Sequence, residues 1–364
     1  MCRPAIDEMY KIMTDCFGNP SSKHELGINA EQEIRKARKR VAAAVGCSEE
    51  EIYFSPSGTA ANNTAIFGAA RLAGRRGGRI ITTSLEHPSV REPMKRLENS
   101  GFEVIRLKAE RNGKFFIQDL RNALTQNTIL VSMMSVNNEI GSINPIKEAS
   151  QIIRSSGCQA LIHCDAVQAF GKLDIKPSRL GVDLMSLSAH KIHGPKGVGA
   201  LYIRKGVKLP AYILGGGQEN GMFSGTEASP NIVGFGAAAA ALPDVSRQLE
   251  ITCRLRDEFI ERISSCRRIQ INSPADALPY VINFSVPGIP SEVMINYLSE
   301  KGICVSGGSA CKKGRRSDVL TAIGMKPQNI DSAIRVSLSR FTTKEDLDAL
   351  ADHLFEAITL FIRN

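Results

Sequence analysis

The stretch VDLMSLSAHKIHGPKGVGALYIR, residues 182–204, decides how this chain is read. An apolar run (VDLMSLS, 182–188) passes into Ser-Ala-His-Lys, crosses a turn bounded by Gly and Pro, and enters a second apolar run (GALYIR, 199–204). Short, continuously apolar runs are those of strands buried on both faces. Working outward, similar runs precede it: RIITTS (79–84), FEVIRL (102–107), TILVSMM (128–134) and ALIHCD (160–165). Amphipathic stretches at 30–45, 88–99 and 146–155 lie between them, so strands alternate with helices. That alternation predicts an α/β fold with a mostly parallel sheet covered by helices. Beyond a long helical stretch at 231–263 come IQIN, YVINFSV, ICVSG and AIRVSLS, with helices at 291–300 and 344–361. These read as a smaller α+β domain. The expected division is a segment 1–15 packing with the small domain, a large domain 16–245, and a small domain 246–364.

Composition narrows the function classes. The chain has 364 residues, 43% hydrophobic and 23% charged, enough for about two domains without staples. No apolar run approaches the roughly 18 residues of a membrane span, and the N-terminus lacks a signal-peptide apolar core. The nine cysteines have neither a CxxC pair nor zinc-like spacing, which predicts reduced thiols, a cytoplasmic protein and no metal site. A formal charge of +9 with no Trp and no RNA-binding signature fits a solvated basic surface better than a nucleic-acid reader.

Open parallel sheets bind ligands beyond the carboxyl ends of their strands, so polar residues that follow strand runs are the candidates. Lys191 follows a strand beside His190 and Ser188; such an amine can form an imine when burial and nearby cations lower its pKa. A surface lysine has the same local sequence. Asp165, in CDAVQAFGK (164–172), can pair with a ring nitrogen that must stay protonated or simply cap a helix; Gln168 lies one turn on. SPSGTAANN (55–63) offers free amides and a hydroxyl at a helix start, a phosphate seat without the P-loop lysine, or an ordinary capped helix. In VSGGSACKKGRRS (305–317), Cys311 precedes Lys312, Lys313, Arg315 and Arg316, and nearby cations favour thiolate. An incidental cysteine in a basic loop fits as well. Arg335 and Arg340 bracket a strand and suit either a carboxylate ligand or an ion pair. Together these pieces fit one chemistry: a pyridoxal enzyme acting on a small thiol-bearing amino acid.

In these residues the chain resembles the NifS/IscS-type cysteine desulfurases, in the aminotransferase class V group of fold-type I pyridoxal enzymes. FGNPSS (17–22), LEHPSV (85–90), ILVSMMSVNNEIG (129–141), HCDAVQAFGK (163–172), 182–204, GGGQENGMFSGT (215–226), GSACKKG (308–314) and IRVSLSRFTT (334–343) carry the resemblance. It implies pyridoxal 5'-phosphate (PLP) joined to Lys191, with His87 stacked on its ring as a catalytic residue that shuttles protons, Asp165 on the ring nitrogen and Gln168 on the phenolic oxygen. Gly58, Thr59, Ser188 and His190 would hold the phosphate. Thr226 would reach the phosphate of a neighbouring subunit, implying a homodimer. Asn138, placed by the resemblance beside both cofactor and substrate, and Arg335 would hold the substrate carboxylate. Cys311 would attack the sulfur of L-cysteine, release alanine and keep a persulfide. A sulfur acceptor, such as an iron–sulfur scaffold protein or a tRNA-thiolation partner, would then receive the sulfur.

Three departures accompany the resemblance. The family opens with a short strand and turn before the proline matching Pro4, whereas three residues precede it here. An upstream start and a shortened protein of altered activity are the two explanations. Ala60 stands where a Glu is common, and Phe223 where an Arg is common. The alternative activities are selenocysteine lyase, cysteine-sulfinate desulfinase, or a low-activity scaffold paralogue.

Overall fold

Why the apolar runs become strands is visible in their burial: every residue of 184–188 and 199–203 is out of water. The computed structural model describes residues 1–74, 77–307 and 316–362. The chain divides into two units: residues 1–107, 117–135 and 145–245, and residues 108–116, 136–144 and 246–364.

Among its described residues the first unit holds a seven-stranded sheet. Its strands are β1 (Ile52–Ser55), β2 (Arg79–Thr83), β3 (Glu103–Leu107), β4 (Thr128–Met134), β5 (Leu161–Asp165), β6 (Leu184–Ser188) and β7 (Gly199–Ile203). The order is β1-β7-β6-β5-β4-β2-β3. Pairings from β3 to β6 are parallel; β7 is antiparallel to both β6 and β1. All strands except β7 therefore point their carboxyl ends the same way. The helices are α1 (Arg3–Asp15), α2 (Glu25–Val45), α3 (Gly58–Ala73), α4 (Pro88–Glu98), α5 (Ile117–Ala123), α6 (Ile146–Ser155), α7 (Pro177–Leu180) and α8 (Ser229–Ala240). Ile66 of α3 and Met94 of α4 pack with Ile80 and Leu130 of the sheet. Phe235 of α8 meets Phe54 and Phe170 edge-on, at 6.2 and 6.1 Å between ring centres. A side chain at Gly236 would come within 2.5 Å of the Ala37 backbone, so α2 and α8 touch only because that position is glycine.

The N-terminal segment departs from expectation. It belongs to the first unit, where α1 packs on α8, and not to the second. Ala5 and Ile12 are its buried face, Met9 lies against Gly234, and the Cys2 amide donates to the His193 carbonyl at 2.8 Å. The large domain is also not one continuous stretch, since 108–116 and 136–144 belong to the second unit. The expected helix over 231–263 is two helices, α8 and α9 (Val245–Ser264), because Pro243 lacks the amide and clashes with the preceding turn.

The second unit carries, among its described residues, a four-stranded antiparallel sheet, β10-β11-β9-β8. Its strands are β8 (Gln270–Ile271), β9 (Val281–Ser285), β10 (Ser306–Gly307) and β11 (Ala333–Ser337). Around them lie α9, α10 (Ser291–Glu300), α11 (Asp318–Ala322), α12 (Pro327–Asp331) and α13 (Lys344–Phe361). Phe259, Phe284, Leu298, Ile334 and Leu354 form its core. No helix among the described residues is long and apolar enough to cross a membrane. Truncating the fully buried Phe284 to Ala leaves a cavity in this core. It should lower unfolding free energy by about 3–5 kcal/mol, read from urea midpoints.

Candidate active site

The carboxyl ends of β1, β2, β5 and β6 gather most of the candidate residues. α3 starts three residues beyond β1, with Ser57 accepting from the Ala60 amide at 3.1 Å. Glycines let this start sit tightly on the sheet. A side chain at Gly58 would lie 2.8 Å from Val167 and 3.3 Å from Ser188; one at Gly199 would lie 2.7 Å from the Ser57 backbone. Gly58 is buried and Thr59 exposed at the start of this sixteen-residue helix. Buried Ser188 bonds His190 Nδ1 at 3.0 Å. The amides of this helix start, the Thr59 and Ser188 hydroxyls and the His190 ring are groups of the kind that can hold an anion.

Asp165 ends β5 and is 6% exposed. One of its oxygens accepts the Val167 amide at 3.0 Å, the other the Asn62 amide group at 2.7 Å. Burial pushes this carboxyl up; the two hydrogen bonds, His87 and Lys191 pull it down. His87 begins α4 and contacts Ser89 through Nδ1 at 2.8 Å. Burial holds His87 below its ordinary value, against Asp165, while Lys191 and Arg91 push the same way as burial. Lys191 sits half-buried in the short turn Ala189–Ile192 after β6. Lys172 lies close enough to interact with it, and burial together with Lys191 pushes the Lys172 ammonium down to about 8. Gln168 is half-buried in the turn that follows β5.

The remaining candidates lie elsewhere. Thr226 is exposed in the segment 215–226, which is pinned from its middle: Glu219 takes two bonds from Arg38 at 2.7 and 2.8 Å and one from the Phe54 amide at 2.7 Å. Phe223 in that segment is buried, edge-on to Tyr212, so the residue replacing the common Arg serves the core. Asn138 and Arg335 belong to the second unit, where Arg335 donates to the Asn138 carbonyl at 3.0 Å. Arg335 Nε is buried without a hydrogen-bond partner. Cys311 lies outside the described residues.

Asn62, Ser89 and Glu86 were not singled out from the sequence. Asn62 lies four residues after Gly58, hence on the same face of α3, and that spacing inside SPSGTAANN was the available signal. His163 is also buried behind the site, between Ser132 at 2.8 Å and Ser186 at 3.0 Å, and stitches β4, β5 and β6 together. Burial lowers it to about 3, so it is neutral. Among the described residues, no cluster of His, Cys, Asp and Glu could hold a metal ion.

Glu86 is fully buried; one oxygen accepts from Thr83 at 2.7 Å and the Met134 amide at 3.0 Å, and the other has no partner. Burial raises it to about 8, so it is a neutral acid beside Asp165. Because the folded state holds this proton more tightly than the unfolded chain, stability is full below about pH 4.5 and declines as pH rises through 8. Glu86→Gln should reduce that decline, by up to about 1.4 kcal/mol per pH unit, in denaturant midpoints at pH 6 and 8.

Comparison with known proteins follows the same lines. The Aminotransferase class-V family matches residues 1–350. A cysteine desulfurase IscS from Dictyoglomus turgidum is 41% identical over 360 residues, covering 96% of this chain and 91% of its own. A solved NifS-like protein superposes with a TM-score of 0.93 at 35% identity, covering 99% of this chain and 96% of its own. A structure described as SspA in complex with cysteine matches with a TM-score of 0.84 at 33% identity, over 94% and 97%.

Proposed function

Because the chain belongs to the class-V aminotransferase family, we propose that it is a PLP-dependent cysteine desulfurase that takes sulfur from L-cysteine and releases alanine. The observation that carries the reading is the cluster in the first unit: a buried aspartate, a depressed histidine and a half-buried lysine, beside a glycine-fitted helix start. The residues fit PLP. Gly58 and Thr59 at the start of α3, with Ser188 and His190, suit the phosphate; Asp165 suits a protonated ring nitrogen; Gln168 suits the phenolic oxygen. When bound, PLP supplies an aldehyde for an amine and a ring that stabilises negative charge at the substrate α-carbon.

The chain's own residues supply the rest. Lys191 Nζ, half-buried after β6, is the amine that would hold the aldehyde. When not so engaged, the same amine would be placed to accept a proton. His87 would pack on the ring face. Arg335, with a buried Nε left to donate, and Asn138 would bind the substrate carboxylate. Cys311 thiolate would attack the substrate sulfur: an S–S bond forms, the carbon–sulfur bond breaks, and its electron pair leaves with the carbon skeleton, which is protonated to alanine. The basic run 312–316 would favour that thiolate and draw an acidic sulfur-acceptor protein. The exposed, pinned Thr226 suits a homodimer in which each subunit completes its partner's phosphate site.

Purified, PLP-loaded protein should form alanine from cysteine; none formed by a dimeric, coloured sample would overturn the reading. Lys191→Ala should lose the visible absorbance band of the bound cofactor. Cys311→Ala should keep that band while alanine formation and protein-bound persulfide fall about a hundredfold or more.

A further inference from the structure

We propose that Asn62 and Ser89 are positioning residues that lock His87 as the neutral tautomer carrying its proton on Nε2. Asp165, as a carboxylate, can only accept hydrogen bonds. Its oxygen 2.7 Å from the Asn62 amide group therefore faces the nitrogen, and Asn62 donates. The second hydrogen of the same nitrogen goes to Ser89 Oγ at 2.8 Å. This orientation leaves Asn62 Oδ1 buried without a partner, which is unfavourable by itself. The amide holds this orientation because the reverse would set two acceptors against each other beside a buried charge.

Ser89 Oγ, already an acceptor, turns its own hydrogen to His87 Nδ1 at 2.8 Å. The Ser89 backbone amide aims at the same nitrogen at 3.1 Å. Two donors on Nδ1 leave no room for a proton there, so the neutral ring carries it on Nε2. The charged groups around the ring are Asp165 from β5, Lys191 from the turn after β6 and Arg91 from α4. Only Asp165 favours a second proton, and the start of α4, which His87 caps, disfavours it. The polarity thus runs from a carboxylate through an amide and a hydroxyl to an imidazole, all in the first unit.

The hydrogen-bond polarity stands by itself; its catalytic meaning rests on the desulfurase reading. A ring locked this way can give a proton from Nε2 but cannot take one at Nδ1 without expelling Ser89. That leaves Lys191 to accept the substrate proton.

The test is side-chain nitrogen NMR of the holoenzyme labelled with [15N]histidine, the His87 signals being assigned by their loss in His87→Gln. Wild type should show an unprotonated Nδ1 and a protonated Nε2 at neutral pH. Ser89→Ala and Asn62→Ala should each shift the tautomer equilibrium toward Nδ1–H by about two- to tenfold and raise the pH at which His87 becomes cationic. Ser89→Thr, which keeps the hydroxyl, should restore both. The limb of the kcat/KM–pH profile that reports His87 should move with the NMR titration. A protonated Nδ1 in wild type, or unchanged His87 signals in both alanine variants, overturns the proposal. The expected signals in an enzyme that makes no alanine from cysteine support the network and overturn the assigned reaction.

Discussion

A carboxylate taken out of water must be met by donors, and at the end of β5 that requirement organises its surroundings. Asp165 receives the Val167 amide and Asn62, and it interacts with His87 and Lys191. Each of those partners comes from a different strand end or helix start. The sheet order is what makes this possible: β5 is central, with β6 on one side and β4 and then β2 on the other. Loops leaving the same edge of a parallel sheet converge there without further guidance.

The same low dielectric that makes Asp165 demanding keeps its neighbours neutral. Glu86 is buried and holds its proton to about pH 8, and His163 stays uncharged down to about 3. The site therefore concentrates its charge on Asp165 and the lysines, with neutral groups behind them. A second full negative charge beside Asp165 would compete for the protons and cations that the aspartate needs.

Most of the candidate residues were legible in order along the chain because they follow recognisable apolar runs. Lys191, Asp165 and His87 all follow strands, and the glycines of SGT and KGVG mark close backbone approach. What escaped was support. Asn62 and Ser89 look like ordinary helix residues, and only the packing of α3 against both α4 and β5 makes them a bridge. Domain membership escaped for a similar reason. Residues 1–15 carry an amphipathic pattern that fits several partners, and the face of α8 decided which one it covers. Pro243 was a readable break inside 231–263 that the apolar pattern on either side concealed.

The sequence by itself determined the alternation of strands and helices, the candidate site residues and the family, because those depend on local pattern and residue chemistry. Tertiary structure alone decided which neutral groups stand behind Asp165, the direction of the hydrogen bonds that reach His87, and the division into units. These are properties of contacts between segments far apart in the chain. A hydrogen bond's polarity is set by what its acceptor can do, and that partner is found only after folding.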